Sequence, residues 1–484
     1  MDSILKENGE LYRGLREYFT KFVYSNHSFE VNHNKINIAF SFHLENIHNE
    51  KIDFHPTAIL NIPEKFLVNL KDEEIDGLVF HIGLAEVISY WKIACPINLE
   101  IHGYRLNEEQ LVWWKELYYL GMQEFFYING ITPPNRTDFM NITSVGGKSL
   151  PNISINSQNP GNIIPIGGGK DSIVTLESLK SLSPSNLGLI VNPRPASTKS
   201  WELAGFASDT CIVINRNLDK KMLDLNEHGF SNELKSLNGH TPFSATLAFY
   251  TLLASYVTSF KNIALSNESS ANESTVLGTE VNHQYSKTYK FERDFRSYVN
   301  KFVSTEFNYF SFLRPINELQ IASIFSRHEK YFLSFKSCNV GSKTDSWCSA
   351  CAKCLFTYII LSPFIDPNKL KKIFGKDLYA DRNMLGLFNQ LTGQTEFKPF
   401  ECVGTIDEVH CALTIAIDKY YANGELPFLL EYYRMSGSYH PLHYKEVATS
   451  LMNEFNSENF LSDNQANYLK GLVRNESKAL VKIF

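Results

Sequence analysis

The sequence lacks several features that would assign it quickly. No apolar run reaches the ~18 to 20 residues needed to span a bilayer; the most apolar helix candidate, Ala245 to Phe260, is interrupted by Ser, Thr and Tyr. The opening MDSILKENGELYRGLREYF mixes both charge signs and has no apolar core of the signal-peptide kind. No block of consecutive Lys and Arg could follow a nucleic-acid backbone, and the formal net charge is -6. No internal repeat is visible. These absences disfavour a membrane protein, a secreted protein and a dedicated nucleic-acid binder. The expectation is a cytoplasmic protein with no nucleic-acid or membrane partner; the sequence does not give its oligomeric state.

What is present is an ordinary globular composition, with 43% hydrophobic and 20% charged residues over 484 positions. That is enough for roughly two to four domains and a large core. Of the eight cysteines, half fall in one short segment, which suits a metal site in a reducing compartment better than a disulfide framework.

Patterning divides the chain in three. Alternating segments such as KINIAFSF, between Val31 and about Pro63, predict strands, and Gly77–Cys95 and Asn107–Tyr127 predict helices. The Asn/Ser/Pro/Gly-rich stretch Pro133–Gly161 reads as a connection. After it, NIIPI predicts a buried strand, Asp171–Leu182 an amphipathic helix and LGLIV another strand, a βαβ unit that implies a parallel sheet. CIVIN at 211–215, a helix opened by Thr241 and Pro242, and NIAL at 262–265 extend the pattern. Beyond Pro363 the pattern is helical. The expected fold is α/β: an α+β N-terminal domain over residues 1–155, a parallel-sheet domain over 156–365 and a helical region over 366–484.

The turn inside the βαβ unit is IPIGGGKDSIVTLESLK, residues 164–180. Successive glycines let backbone N–H groups converge on an anion at a helix N-terminus. The Walker form fails because Asp171 follows Lys170, and the dinucleotide form fails because Ser172 stands where glycine is required. The stretch resembles the PP-loop of ATP pyrophosphatases, S-G-G-x-D-S, with Gly167 in place of the usual Ser. That resemblance implies an adenine-nucleotide domain that splits ATP into AMP and pyrophosphate. Gly167, Gly168, Gly169, Lys170, Asp171 and Ser172 would bind the nucleotide, and Asp171 would hold Mg²⁺.

Cys338, Cys348, Cys351 and Cys354 follow C-x9-C-x2-C-x2-C, a spacing suited to closed tetrahedral Zn²⁺. An iron–sulfur cluster and a redox CxxC pair are the other uses of such thiols. The ending resembles the zinc site of 7-cyano-7-deazaguanine synthase, itself a PP-loop enzyme, and implies a zinc-stapled edge on the sheet domain.

More specific stretches, GLVFHIGLAEVISYWKIACP, LVWWKELYYLGMQEFFYING, SNESSANEST, EVNHQYSKTYKFE, LRPINEL, WCSACAKCLF and ECVGTIDE, are similar to the ATP-dependent UDP-N-acetylmuramoyl-L-alanyl-L-glutamate epimerases. The resemblance implies conversion of UDP-MurNAc-L-Ala-L-Glu to its D-Glu epimer through an acyl-adenylate, in peptidoglycan precursor synthesis. The alternatives are another PP-loop enzyme adenylating a nucleobase or tRNA group, or an ATP-binding regulator without turnover. His283, Lys287 and Glu268 are the candidate catalytic residues. Glu268 or Glu273 suits Mg²⁺ or ribose, or a solvated loop. Arg314 suits a phosphate, a carboxylate or a surface ion pair. Cys402 and Cys411 read as buried apolar groups, with a two-cysteine racemase arrangement as the sharper alternative, and the Trp/Tyr-rich helices read as core.

Overall fold

A computed structural model describes residues 2–132, 135–155, 159–223, 236–422 and 424–480. Among the described residues, eleven strands form one sheet. In chain order they are β1 (Phe19–Asn32), β2 (Lys35–Asn46), β3 (Lys51–Phe54), β4 (Thr57–Asn61), β5 (Asn98–Tyr104), β6 (Asn141–Lys148), β7 (Asn162–Pro165), β8 (Leu187–Val191), β9 (Cys211–Asn217), β10 (Asn262–Leu265) and β11 (Asn308–Ser311). The spatial order is β11-β10-β7-β8-β9-β4-β2-β1-β5-β6, with β3 on β2. The five strands from β11 to β9 are mutually parallel, as the βαβ pattern predicts. Their order is that of a doubly wound sheet, whose connections reverse direction between its first and fourth strands, here β7 and β10.

These short strands are nearly continuous apolar runs because both faces are covered. Ile163, Leu187, Leu189, Ile263 and Tyr309 enter one buried cluster, shared with the N-terminal strands and the helices Asp72–Trp91 and Phe243–Thr258. Their neighbours Ile164, Ile190, Ala264 and Phe310 enter a second, shared with the helix Lys170–Leu182 and the C-terminal helices. The period of two along each strand thus sorts side chains into two cores.

Three details differ from expectation. The stretch read as a connection contains β6, which pairs parallel to β5 from Asn98↔Asn141 onward; Pro133, Pro134 and residues 156–158 lie outside the described residues. The helix after Thr241 is Phe243–Thr258, with Pro242 at its N-cap and no side-chain cap bond. The N-terminal and central parts also share the sheet: β4 pairs antiparallel with β9, Thr57↔Asn217 through Asn61↔Val213. From Pro367 onward the regular elements are all helical, as read from the sequence.

Candidate active site

The turn after β7 carries the chain from a fully buried strand into the helix Lys170–Leu182, with Gly169 at its N-cap. Gly168 has φ +84°, and a Cβ there would lie 2.7 Å from the Ala196 carbonyl carbon and 2.8 Å from Ser197 N. Only glycine suits that position. At Gly167 a Cβ would meet nothing within 4 Å. The Lys336 N–H donates to the Gly168 carbonyl at 2.9 Å, and Arg194 Nη2 to the Gly167 carbonyl at 3.2 Å, which fixes the loop from both sides.

This loop borders a pocket of about 410 Å³, a size typical of small-ligand sites. Gly167, Gly169, Asp171 and Ser172 line one wall; Ser266, Asn267 and Glu268, just past β10, line another. The pocket therefore sits outside the carboxyl ends of β7 and β10, at the sheet's switch point, where open α/β sheets take ligands. Leu189, Val191, Phe243, Leu247, Leu265 and Tyr309 supply apolar wall, and Arg194, Lys287, Lys336 and Lys353 supply positive charge.

Gly168 and Lys170 stand behind that wall. Lys170 is buried, and its ammonium pairs with Asp171 and with Glu318, at the start of the helix Glu318–Phe325. Burial disfavours the charged form of Lys170, but these carboxylates outweigh it and hold its pKa up. Burial and the Asp171 charge push the carboxyl of Glu268 up; burial likewise pushes Glu318 up to about 7, against the pull of Lys170. Asp171, Glu268 and Glu318 line the same pocket; against the cost of burial, Lys170, Lys353 and Lys287 hold the Asp171 carboxyl below its ordinary range, so the pocket gathers one anionic carboxylate and two carboxyls that burial pushes up.

A second polar group lies at the same pocket. Cys402 Sγ is 3.0 Å from Lys287 Nζ, and the Cys402 carbonyl accepts from Lys353. Burial would raise the thiol, but Lys287, His283 and Lys353 together pull it well below the usual thiol range. His283 Nδ1 is 2.6 Å from Glu124 Oε2, and the His240 ring lies 4.4 Å from the His283 ring. Against the cost of burial, Cys402 and Glu124 raise His283 to about 9, whereas burial and that neighbouring charge lower His240 to about 3.

The predicted residues therefore separate. His283, Lys287 and Glu268 gather around the pocket, with His283 one layer behind Cys402. Glu273 is held by Lys398. Arg314 touches no open space: fully buried, it pairs with Glu292 and donates to the carbonyls of Glu268 at 2.6 Å and Lys287 at 2.5 Å. It is a buried ion pair that also braces the backbone at Glu268 and Lys287, not a surface ion pair. Cys411 is buried, as expected for an apolar group, with Sγ 3.4 Å from the Tyr444 carbonyl; Cys402 departs from that expectation. Trp114 stacks on Phe249 in the core. Sequence reading did not single out Glu124, His240, Glu318 or Lys353, and no local motif marks them.

Cys338, Cys348, Cys351 and Cys354 converge, with Sγ atoms within 4.8 Å of one another and no disulfide. The Cys338–Cys351, Cys348–Cys354 and Cys351–Cys354 separations are 3.8, 3.7 and 3.5 Å. Such a group could hold a metal ion. Its flanks reach the pocket: Lys336 and Ser337 precede Cys338, and Lys353 sits between Cys351 and Cys354.

Fold and site together define an α/β protein with a glycine loop and a ligand pocket at the switch point of its parallel strands. Family models of the MurL N-terminal domain and the MurL C-terminal domain match residues 15–312 and 334–430. The chain belongs to the MurL family. It is similar to proteins named UDP-N-acetyl-alpha-D-muramoyl-L-alanyl-L-glutamate epimerase from three bacteria. The Xanthomonas oryzae pv. oryzae protein is 31% identical over 340 residues, covering 69% of this chain and 72% of that one. The Salinispora tropica protein is 31% identical over 354 residues, 71% and 74% of the two chains. The Micromonospora sp. protein is 30% identical over 338 residues, 69% and 73%. No solved structure matches the chain. Among the described residues no helix is long and apolar enough to cross a membrane.

Proposed function

We propose that the protein epimerises the terminal L-Glu of UDP-MurNAc-L-Ala-L-Glu to D-Glu, converting ATP to AMP and pyrophosphate, as a cytoplasmic step of peptidoglycan precursor synthesis. The observation that carries this reading is a glycine loop and three carboxyls sharing one pocket in a chain similar to named epimerases. A free carboxylate resists loss of its Cα proton, because the carbanion forms beside a full negative charge. ATP supplies the remedy: esterification of that carboxylate by AMP removes the charge and lets the carbanion delocalise into the carbonyl.

The residues present fit such a nucleotide. The loop amides and the N-terminus of the helix Lys170–Leu182 suit phosphate oxygens, as do Arg194 and Lys336 on the rim. Asp171 is the proposed Mg²⁺ ligand, with Glu268 and Glu318 beside it. Hard oxygen donors suit that ion, and a divalent charge would relieve the burial that pushes both glutamates up. The side of the pocket formed by Gln284, Lys287 and Cys402 is left for the glutamyl end of the substrate.

The four cysteines are assigned a closed, structural Zn²⁺. Thiolates at ~2.3 Å from a tetrahedral ion lie ~3.8 Å apart, close to the separations present. A zinc-stapled PP-loop domain over residues 156–365, between an α+β region at 1–155 and a helical one at 366–484, is the proposed organisation. A UDP-linked dipeptide, with neither nucleic acid nor membrane, is the proposed partner.

The test is pyrophosphate release from Mg-ATP with UDP-MurNAc-L-Ala-L-Glu, followed by chiral analysis of the glutamate, with Asp171→Ala as control. Substrate-dependent AMP, pyrophosphate and D-Glu, all lost in the variant, are expected. Binding of ATP without pyrophosphate release would sink the reading and turn attention to other carboxylates, to nucleobases or to regulation.

A further inference from the structure

Two buried polar atoms at the pocket have no hydrogen-bond partner among the described residues: Gln284 Oε1 and Ser266 Oγ. Gln284 is 5% exposed, and its Nε2 donates to the Val403 carbonyl at 3.3 Å, so its acceptor end is left unpaired beside Cys402. Buried orphans of this kind point to a ligand that completes them. An amide N–H on the substrate, next to its reacting carbon, has the right polarity for Gln284 Oε1.

The group beside that position is Cys402, with Lys287 Nζ 3.0 Å from its sulfur and His283 behind it, held by Glu124. We propose that Cys402 is the catalytic residue that takes the Cα proton from the activated glutamyl group, with Lys287, His283 and Glu124 as positioning residues. The assignment rests on the epimerase reading and names a proton-transfer group for it.

In the step, the Cα–H bond breaks and an S–H bond forms. The electron pair moves into an enolate, whose charge rests on the activated carbonyl oxygen. The enolate takes a proton from water on its opposite face, and the resulting hydroxide removes the proton from the Cys402 thiol. Nothing is oxidised or reduced. Lys287 stays protonated throughout and keeps the sulfur anionic between turnovers. Cys411, beside a carbonyl rather than an ammonium, lacks that surrounding.

The experiment compares wild type, Cys402→Ser and Cys402→Ala with Mg-ATP and UDP-MurNAc-L-Ala-L-Glu in D₂O, following pyrophosphate and deuterium at Cα. Cα exchange per pyrophosphate released should fall by at least ~100-fold in both variants, and the pyrophosphate they release shows that they fold. Independently of turnover, brief iodoacetamide treatment at pH 6, read by peptide mass spectrometry, should label Cys402 and spare Cys411, and Lys287→Met should suppress the labelling. Cα exchange in Cys402→Ala within tenfold of wild type overturns the assignment, as does a Cys402 that stays unlabelled. Absence of pyrophosphate from the wild type overturns the epimerase reading itself and this assignment with it. Pyrophosphate release with exchange that persists in both variants overturns the assignment alone.

Discussion

Arg314 holds the site from behind, and its removal gives a calculable loss. Arg314→Met keeps much of the apolar stem and deletes the guanidinium. The bonds from Nε and Nη2 to Glu292 Oε2, at 3.1 and 2.9 Å, disappear with those to the Glu268 and Lys287 carbonyls. Glu292 keeps the Ser311 N–H at 2.8 Å but is 1% exposed, so its charge is left in the interior. Breaking one side of a buried pair costs roughly 3–5 kcal/mol, and two carbonyls losing a donor add about 1 kcal/mol. The single variant should therefore lose about 5 kcal/mol of unfolding free energy. Glu292→Met, which leaves the guanidinium its two carbonyl acceptors, should lose about 3 kcal/mol. The double variant has no stranded charge and keeps only the loss at the two carbonyls and the Ser311 N–H, so it should lose about 2 kcal/mol rather than the about 8 kcal/mol of simple addition. Denaturant unfolding of the four proteins measures the cycle. A loss under about 1 kcal/mol for Arg314→Met, or simple additivity, would refute the reasoning.

The glycine loop makes opposite predictions at neighbouring positions: Gly168→Ala should cost about 2–4 kcal/mol and abolish Mg-ATP binding. Gly167→Ser should stay within about 0.5 kcal/mol of wild type and bind Mg-ATP at least as well, as unfolding and calorimetric titration would show. Metal analysis should find zinc in stoichiometric amount, and stripping it should weaken Mg-ATP binding, because Lys336, Ser337 and Lys353 lose their anchor. His283 has a folded-state pKa of about 9 against an ordinary 6.5, so its contribution to stability is complete below about 6.5 and fades as pH rises through about 9. The stability gap between wild type and His283→Gln, followed by denaturation from pH 6 to 10, should close across that window.

What could be read from the sequence was local. The turn at Gly167–Gly169, between an apolar run and an amphipathic one, announces a βαβ unit because each signal lies within a few residues. The cysteine spacing is legible for the same reason. β1 was harder to see: Phe19–Asn32 follows directly on the helix Asp2–Tyr18, and its second half is largely polar and exposed. β6, NITSVGGK, carries the Asn, Ser and Gly of a loop, yet pairs with β5. The site's second polar group was out of reach, since Glu124, His283 and Cys402 meet only through the tertiary fold. Residue type alone flagged His283 and Lys287; nothing adjacent in sequence distinguishes Cys402 from Cys411. Arg314 beside Pro315 looks the same in sequence whether it faces a ligand or, as here, two backbone carbonyls.

The pairing of β4 with β9 also bears on how the chain is made. On the ribosome, β1 to β4 emerge first and can close against the helix Asp72–Trp91, but the outer edge of β4 must wait about 150 residues for β9. At ~5–20 residues per second that is roughly 8–30 s with a row of bare N–H and C=O groups facing solvent. A bare edge is a template for pairing with another nascent chain. Translation speed between residues 61 and 211, and the chaperones present during it, should therefore influence soluble yield more than they would if the sheet were divided between two separately closing units.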